Sequence, residues 1–315
     1  MTEYRNENEV VIHSMGRSGS HAIMNWIASM YKEPIYCFNH CPLSDPFKSR
    51  IRYWARVKRR PIKKFFVAVP RHLKDLPDKR EECRNRQKHC LMYSYEHKDI
   101  GKLKNGGFIE DRDYIIGKSK IRYNVLILRD FFNWLASRLL KEKYGGQPLN
   151  LFPQYNISGR SDWTQHASII FGRNYRKAKK RKTLRFWKTY AREFLGRTNY
   201  LESTGPLKNK KICISFNQWF VDEEYRKQLA NFFDLEYSDF SLGFAGSPST
   251  FDEGKYWYGN AQEMKVFDRW KTLEDNIIYH EFLDPEAMEL SYEIFGREIG
   301  GSLEKINGGQ SAEKQ

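Results

Sequence analysis

Apolar positions along the chain change period in a way that marks out alternating strands and helices. Val10-Val11-Ile12 is a short β-branched run, and behind it Ala22, Ile23, Trp26, Ile27 and Met30 recur at helical spacing. Between them lies Ser14-Met15-Gly16-Arg17-Ser18-Gly19-Ser20, so this stretch predicts a strand, a glycine-bearing loop and a helix. A second unit predicts a strand over Asn124–Leu128 and a helix over Asp130–Lys143, with Phe132, Leu135 and Leu139 on one face. A third has Lys211–Ser215 as the strand. Its helix is capped by Asp222, with Glu223 and Glu224 in the first turn, where the helix dipole favours acids. Phe65–Val69 and Leu91–Tyr95 read as buried strands, and Asp284-Pro285-Glu286 opens a helix that closes at Gly296. Strands alternating with helices imply an α/β fold, a three-layer domain whose central parallel sheet is flanked by helices. The expected organisation is one domain over 1–299, with basic insertions around 45–90 and 141–200, and a flexible C-terminal tail over 300–315.

Composition narrows the class. The 315 residues are 40% hydrophobic and 15% aromatic, enough for a sizeable core and unlike a disordered chain. No apolar run approaches the length of a membrane span, and the polar, acidic start at Met1–Glu9 does not follow a signal peptide's plan. Five scattered cysteines make no disulfide framework, which sets the expected compartment as the cytoplasm. Cys37, Cys41 and His40, or Cys83, Cys90 and His89, lack the paired spacing of a structural zinc site, so no metal is expected.

The net charge of +15 is not spread evenly. Residues 51–90 carry 14 Lys/Arg against 4 Asp/Glu, and residues 173–192 carry 10 Lys/Arg with no acid. The rest of the chain is net negative, with 30 basic and 35 acidic residues. Such blocks form solvated faces or the footprint of an anionic partner.

Two constellations carry chemistry. In the loop Gly16-Arg17-Ser18-Gly19-Ser20-His21, backbone N–H groups and a helix N-terminus form an anion cradle, to which Arg17 and the hydroxyls add donors. It is not a Walker A loop, because no Lys-Ser/Thr pair follows the second glycine. Arg129 follows the second strand directly, and Ser137 lies about two helical turns on; both could meet a ligand at the carboxyl edge of a parallel sheet.

Together these features resemble the 3′-phosphoadenosine-5′-phosphosulfate (PAPS)-dependent sulfotransferase family. The loop Arg17-Ser18-Gly19-Ser20-His21 is similar to the family's 5′-phosphosulfate loop, and Arg129 with Ser137 to its 3′-phosphate pair. The run Leu126–Leu139 also looks like the family, with Phe131 in place of a frequent proline. Asn217, Trp219, Phe220, Asp222, Tyr225 and Arg226 resemble a pattern of a bacterial subgroup. So does the late loop Gly246–Gly254, which contains Ser247, Ser249, Thr250 and Phe251. Two departures separate the chain from the cytosolic small-molecule branch: Ala22 stands where an adenine-stacking aromatic is expected, and that branch's C-terminal Arg-Lys-Gly pattern is absent. Phe251 and Trp257 are candidate adenine partners.

The resemblance implies a P-loop-like fold and PAPS as co-substrate, bound by Gly16, Arg17, Ser18, Gly19, Ser20, His21, Arg129, Ser137, Ser247, Ser249, Thr250 and Phe251. It implies transfer of a sulfuryl group to a hydroxyl or amine of a glycan, lipid-linked sugar or other polar acceptor. Arg17 would cover charge on the leaving phosphate. Glu96 or His97, after the Leu91–Tyr95 strand, would act as base; His21 and His40 are weaker contenders. Competing readings are a P-loop small-molecule kinase and a non-catalytic polyanion or nucleic-acid binder built on the basic run at 173–182. The basic segments point to an anionic acceptor or peripheral anionic surface rather than to a specific nucleic acid.

Overall fold

The computed structural model describes residues 4–32, 34–39, 41, 51–53, 67–68, 85–96, 98–103, 112–139, 181–202, 208–239 and 264–297. Its strands are β1 (Asn6–Ser14), β2 (Ile35–Phe38), β3 (Ile51–Tyr53), β4 (Val67–Ala68), β5 (Lys88–Glu96), β6 (Ser119–Leu128) and β7 (Lys208–Ser215). Helices are α1 (Ser20–Met30), α2 (Ile100–Leu103), α3 (Arg112–Ile116), α4 (Phe131–Leu139), α5 over 181–194, α6 (Phe216–Val221), α7 (Glu223–Phe232), α8 (Ile277–Phe282) and α9 (Pro285–Phe295).

The strands form one sheet in the order β4-β3-β2-β5-β1-β6-β7. Five of them, β2, β5, β1, β6 and β7, run parallel, and β3 and β4 extend one edge antiparallel. In chain order the parallel strands lie second, third, first, fourth, fifth. This P-loop-like arrangement centres β1 and reverses the winding beside it, which opens a crevice at the strands' carboxyl ends. β1 is enclosed on both sides, and Val10, Val11 and Ile12 are fully buried, as the β-branched run implies.

Alternation along the strands divides the core. Val10, Ile12, Met92, Val125 and Ile214 pack with Ile23, Trp26 and Ile27 of α1 and Leu229 of α7 on one face. On the other, Leu126 and Leu128 pack with Phe132 and Leu135 of α4, Trp187 and Tyr190 of α5 and Leu290 of α9. This is the three-layer α/β architecture expected from the periodicity. The caps match as well: the side chains of Asp222 and Asp284 accept from the backbone N–H of Tyr225 and Ala287, and Gly296 ends α9 at φ 87.

The structure adds detail the pattern missed. β2 and β3 had no signal of their own, β4 is the core of the Phe65–Val69 run, and β5 extends to Glu96. The Asn217–Phe220 run lies in a short helix: β7 ends at Ser215, whose side chain accepts from the Gln218 N–H and caps α6.

Candidate functional site

The loop between β1 and α1 is tightly built. Ser18 donates to the Met15 carbonyl from both its backbone N–H (3.1 Å) and its hydroxyl (2.7 Å), closing a turn. Arg17 at φ 77 and Gly19 at φ 79 are both left-handed, so the backbone doubles back twice within three residues. Gly19 is required for a second reason. A Cβ there would lie 2.1 Å from the Phe216 ring. The loop is braced from the next βα unit: Trp134 Nε1 donates to the Gly16 carbonyl at 3.0 Å and Arg129 Nη1 to the Arg17 carbonyl at 3.5 Å. α1 starts at Ser20 with Gly19 as its cap, so its first N–H groups open beside the loop.

Arg129 emerges at the carboxyl end of β6 and Ser137 two turns into α4, and the fold brings them together. Arg129 Nη1 donates to Ser137 Oγ at 3.4 Å. Arg269, which the sequence did not single out, donates to the same oxygen at 3.1 Å, and that hydroxyl donates to the Asn133 carbonyl at 2.7 Å. Both guanidiniums are buried, and that of Arg129 also lies over the Phe216 ring, 5.2 Å from its centroid, and donates to the Val266 carbonyl.

Asn133 and Asp130 organise this corner. Asn133 Oδ1 accepts from the backbone N–H groups of Arg269 (2.8 Å) and Trp270 (3.3 Å), while its amide donates to Asp130 Oδ1 at 3.0 Å. Asn217 Nδ2 donates to Asp130 Oδ2 at 2.9 Å. Asn217 is therefore a bracket between β7 and β6. Tyr225 and Arg226 are structural too: the Ser215 N–H donates to the Tyr225 hydroxyl at 3.2 Å, and Arg226 grips Asp239 at 2.9 Å and donates to the Trp219 carbonyl at 2.8 Å.

Glu96 closes β5 opposite Ser14 of β1, so its carboxylate flanks the loop. Burial lowers the affinity of the Arg17 guanidinium for its proton, and the Glu96 carboxylate opposes that loss. Arg138, next to Ser137, is pushed down to about 10 by burial, with Glu96 opposing and Arg17 adding to the shift. Arg17, Arg138 and Glu96 thus form one electrostatic group, and Arg138 is a second residue the motif reading missed. His21 lies in the first turn of α1. Asn39 Nδ2 donates to its Nε2 at 2.5 Å, and Ser94 Oγ donates to Asn39 Oδ1. His97, His40, Ser247, Ser249, Thr250, Phe251 and Trp257 lie outside the described residues, as does the 300–315 tail.

The described site is a cationic corner at the sheet's carboxyl edge, with two arginines on a shared hydroxyl and a tight loop beside them. Neither a family model nor a curated protein matches the chain. Among solved structures it is similar to a sulfotransferase domain from the curacin biosynthetic pathway. That likeness has 10% identity and a TM-score of 0.43, covering 93% of this chain and 98% of the other. Among the described residues no group of His, Cys, Asp and Glu could hold a metal ion, and no helix is long and apolar enough to cross a membrane.

Proposed function

We propose that the protein is a PAPS-dependent sulfotransferase. One observation carries the reading: Arg129 and Arg269 converge on Ser137 Oγ, beside a left-handed loop that opens onto a helix N-terminus. Two rigid guanidiniums and a hydroxyl suit a terminal phosphate, which accepts several charge-assisted bonds at once. The loop, with backbone donors and Arg17, suits a second anionic group a short distance away. A donor with separate 3′- and 5′-anionic groups fits both subsites.

In this reading Arg17, Ser18, Ser20 and His21 surround the phosphosulfate. The acceptor oxygen bonds to sulfur as the bond from sulfur to the bridging phosphate oxygen breaks, and the electron pair leaves on the phosphate. Arg17 covers that growing charge, a task fit for a permanent cation in a partly buried site. The acceptor's proton passes to a base at the end of β5, where Glu96 stands, with His97 the next residue along. Arg138 shares the field of Glu96 and Arg17, so it adds to the positive potential that draws the sulfuryl group in.

Calorimetry with 3′-phosphoadenosine 5′-phosphate (PAP) and AMP tests the reading. The protein should prefer PAP, and Arg129→Ala should remove about 1.5–3 kcal/mol of that preference, roughly 10- to 150-fold. Equal affinity for the two nucleotides, with Mg²⁺-dependent turnover of ATP, would move the function to phosphoryl transfer.

A further inference from the structure

α5 links the candidate site to a groove on the protein's surface. Its inner face carries Trp187 and Tyr190, whose ring N–H and hydroxyl donate to the carbonyls of Arg129 (3.3 Å), Ser14 (3.4 Å) and Lys98 (3.0 Å), all at the carboxyl edge of the sheet. Its outer face carries Arg181, Arg185, Lys188 and Arg192, spaced to share one stripe. These four, with Leu184 and Asp284, line a groove of about 290 Å³.

The two ends of that groove differ. At one, carboxylates from the start of α9 are already in place: Lys188 Nζ lies 3.3 Å from Asp284 and 2.9 Å from Glu286, and Arg192 also pairs with Glu286. At the other, Arg181 and Arg185 are exposed. Arg185 is 74% exposed and among the described acids lies against Asp99 Oδ2, at 3.7 Å, while no described acid pairs with Arg181. Asp99 is three residues past Glu96, so this open end lies near the carboxyl end of β5.

We propose that the groove is a binding site for an acidic glycan, and that Arg181 and Arg185 hold successive carboxylate or sulfate groups along it. Calling that glycan the acceptor rests on the sulfuryl-transfer reading; the groove's choice of ligand does not. One helical turn separates the two guanidiniums, a rise of about 6 Å, which suits anionic groups on neighbouring units better than one phosphate. Among the described residues the lining has no aromatic side chain, so these offer bases no stacking platform. The apolar residue of the described lining, Leu184, is 5% exposed and so gives a lipid surface little to take up.

The test titrates the full-length protein with a sulfated heparin octasaccharide, a neutral malto-oligosaccharide, an oligo-dT of about twenty nucleotides and phosphatidylserine vesicles, near physiological salt at about 0.15 M. The octasaccharide should bind and the neutral sugar should not. Arg181→Gln/Arg185→Gln should weaken octasaccharide binding at least tenfold and leave PAP affinity unchanged, while Lys227→Gln/Lys271→Gln should change neither. Octasaccharide affinity unaltered by the arginine pair, or lowered equally by the lysine pair, overturns the site. Tighter binding of the oligonucleotide or the vesicles overturns the glycan. If no PAP binds while the octasaccharide still depends on Arg181 and Arg185, the transferase reading fails and the groove stands.

Discussion

Two buried arginine clusters lie on this sheet, and they are built to opposite ends. Beneath its middle, Glu9 of β1 pairs with Arg112 of α3 and lies 3.5 Å from Arg122 of β6, while the Tyr93 hydroxyl donates to it at 2.5 Å. Burial alone would push the Glu9 carboxyl up. Arg122, Arg112 and the hydroxyls of Tyr93 and Ser119 outweigh it and hold the group below the ordinary carboxylate range. At the carboxyl edge, Arg129 and Arg269 meet on a neutral hydroxyl. The adjacent carboxylate, Asp130, is 3.9 Å from Arg129 Nε and is engaged by Asn133 and Asn217. The first cluster pairs charge with charge inside the fold. The second gathers two like charges on a polar atom, and the anion proposed to bind there would lower their mutual repulsion. Burial of arginine by itself marks neither function nor structure; the two clusters differ in how closely a carboxylate is held, in direct contact with Arg112 in the first and 3.9 Å from Arg129 in the second.

The largest effect expected from this contrast is on stability. Glu9→Gln leaves two buried guanidiniums facing a neutral amide and should cost about 3–5 kcal/mol of folding free energy, read from denaturant unfolding. Because the folded-state pKa of Glu9 is depressed, its contribution is present above the ordinary carboxylate range. It is lost as pH falls through the lowered value, so the wild-type advantage over the variant should shrink only in acid. PAP preference should persist in whatever fraction stays folded. A Glu9→Gln protein of wild-type stability that binds PAP poorly would reverse the roles given to the two clusters.

How much of this was legible in the sequence follows the range of each interaction. The β1 loop and the Arg129–Ser137 spacing lie within single βα units, so local pattern and resemblance reached them. Arg269 stands 132 residues beyond Ser137, at the N-cap of a short 3-10 helix (Trp270–Leu273) with no motif, and reaches the site because Asn133 holds its backbone. Asn133 could have raised suspicion, since a polar residue among Phe131, Phe132, Trp134 and Leu135 needs partners when buried. The charge count misled in part. The excess at 173–192 reads as a free cationic face, yet Lys188 and Arg192 are tied to Glu286, about a hundred positions downstream, while Arg181, Lys182 and Arg185 are exposed. Sheet order was not accessible at all, because which strands pair depends on long-range contacts; β2 shows how little a four-residue run says alone.

A mid-sized effect sharpens the comparison from the site's side. Arg269→Gln removes one of the two like charges and keeps a donor. PAP preference over AMP should fall about tenfold, by roughly 1.4 kcal/mol, with unfolding stability unchanged or slightly raised as repulsion with Arg129 is relieved. A loss of stability like that of Glu9→Gln, with nucleotide preference intact, would place Arg269 among the structural arginines.

The smallest effect is the most discriminating. Ser137→Ala removes the oxygen on which Arg129 and Arg269 meet, so the protein without nucleotide loses an acceptor for two buried donors; because Arg129 keeps the Arg17 and Val266 carbonyls, the destabilisation should be about 1 kcal/mol. With PAP bound, phosphate oxygens can accept from the same guanidiniums, and the deficit between variant and wild type should narrow. Thermal unfolding of both proteins, with and without saturating PAP, measures the difference. If the Ser137 hydroxyl is instead a fixed strut between α4 and the Arg269 turn, the deficit stays the same in both conditions. The second cluster would then be as closed as the first.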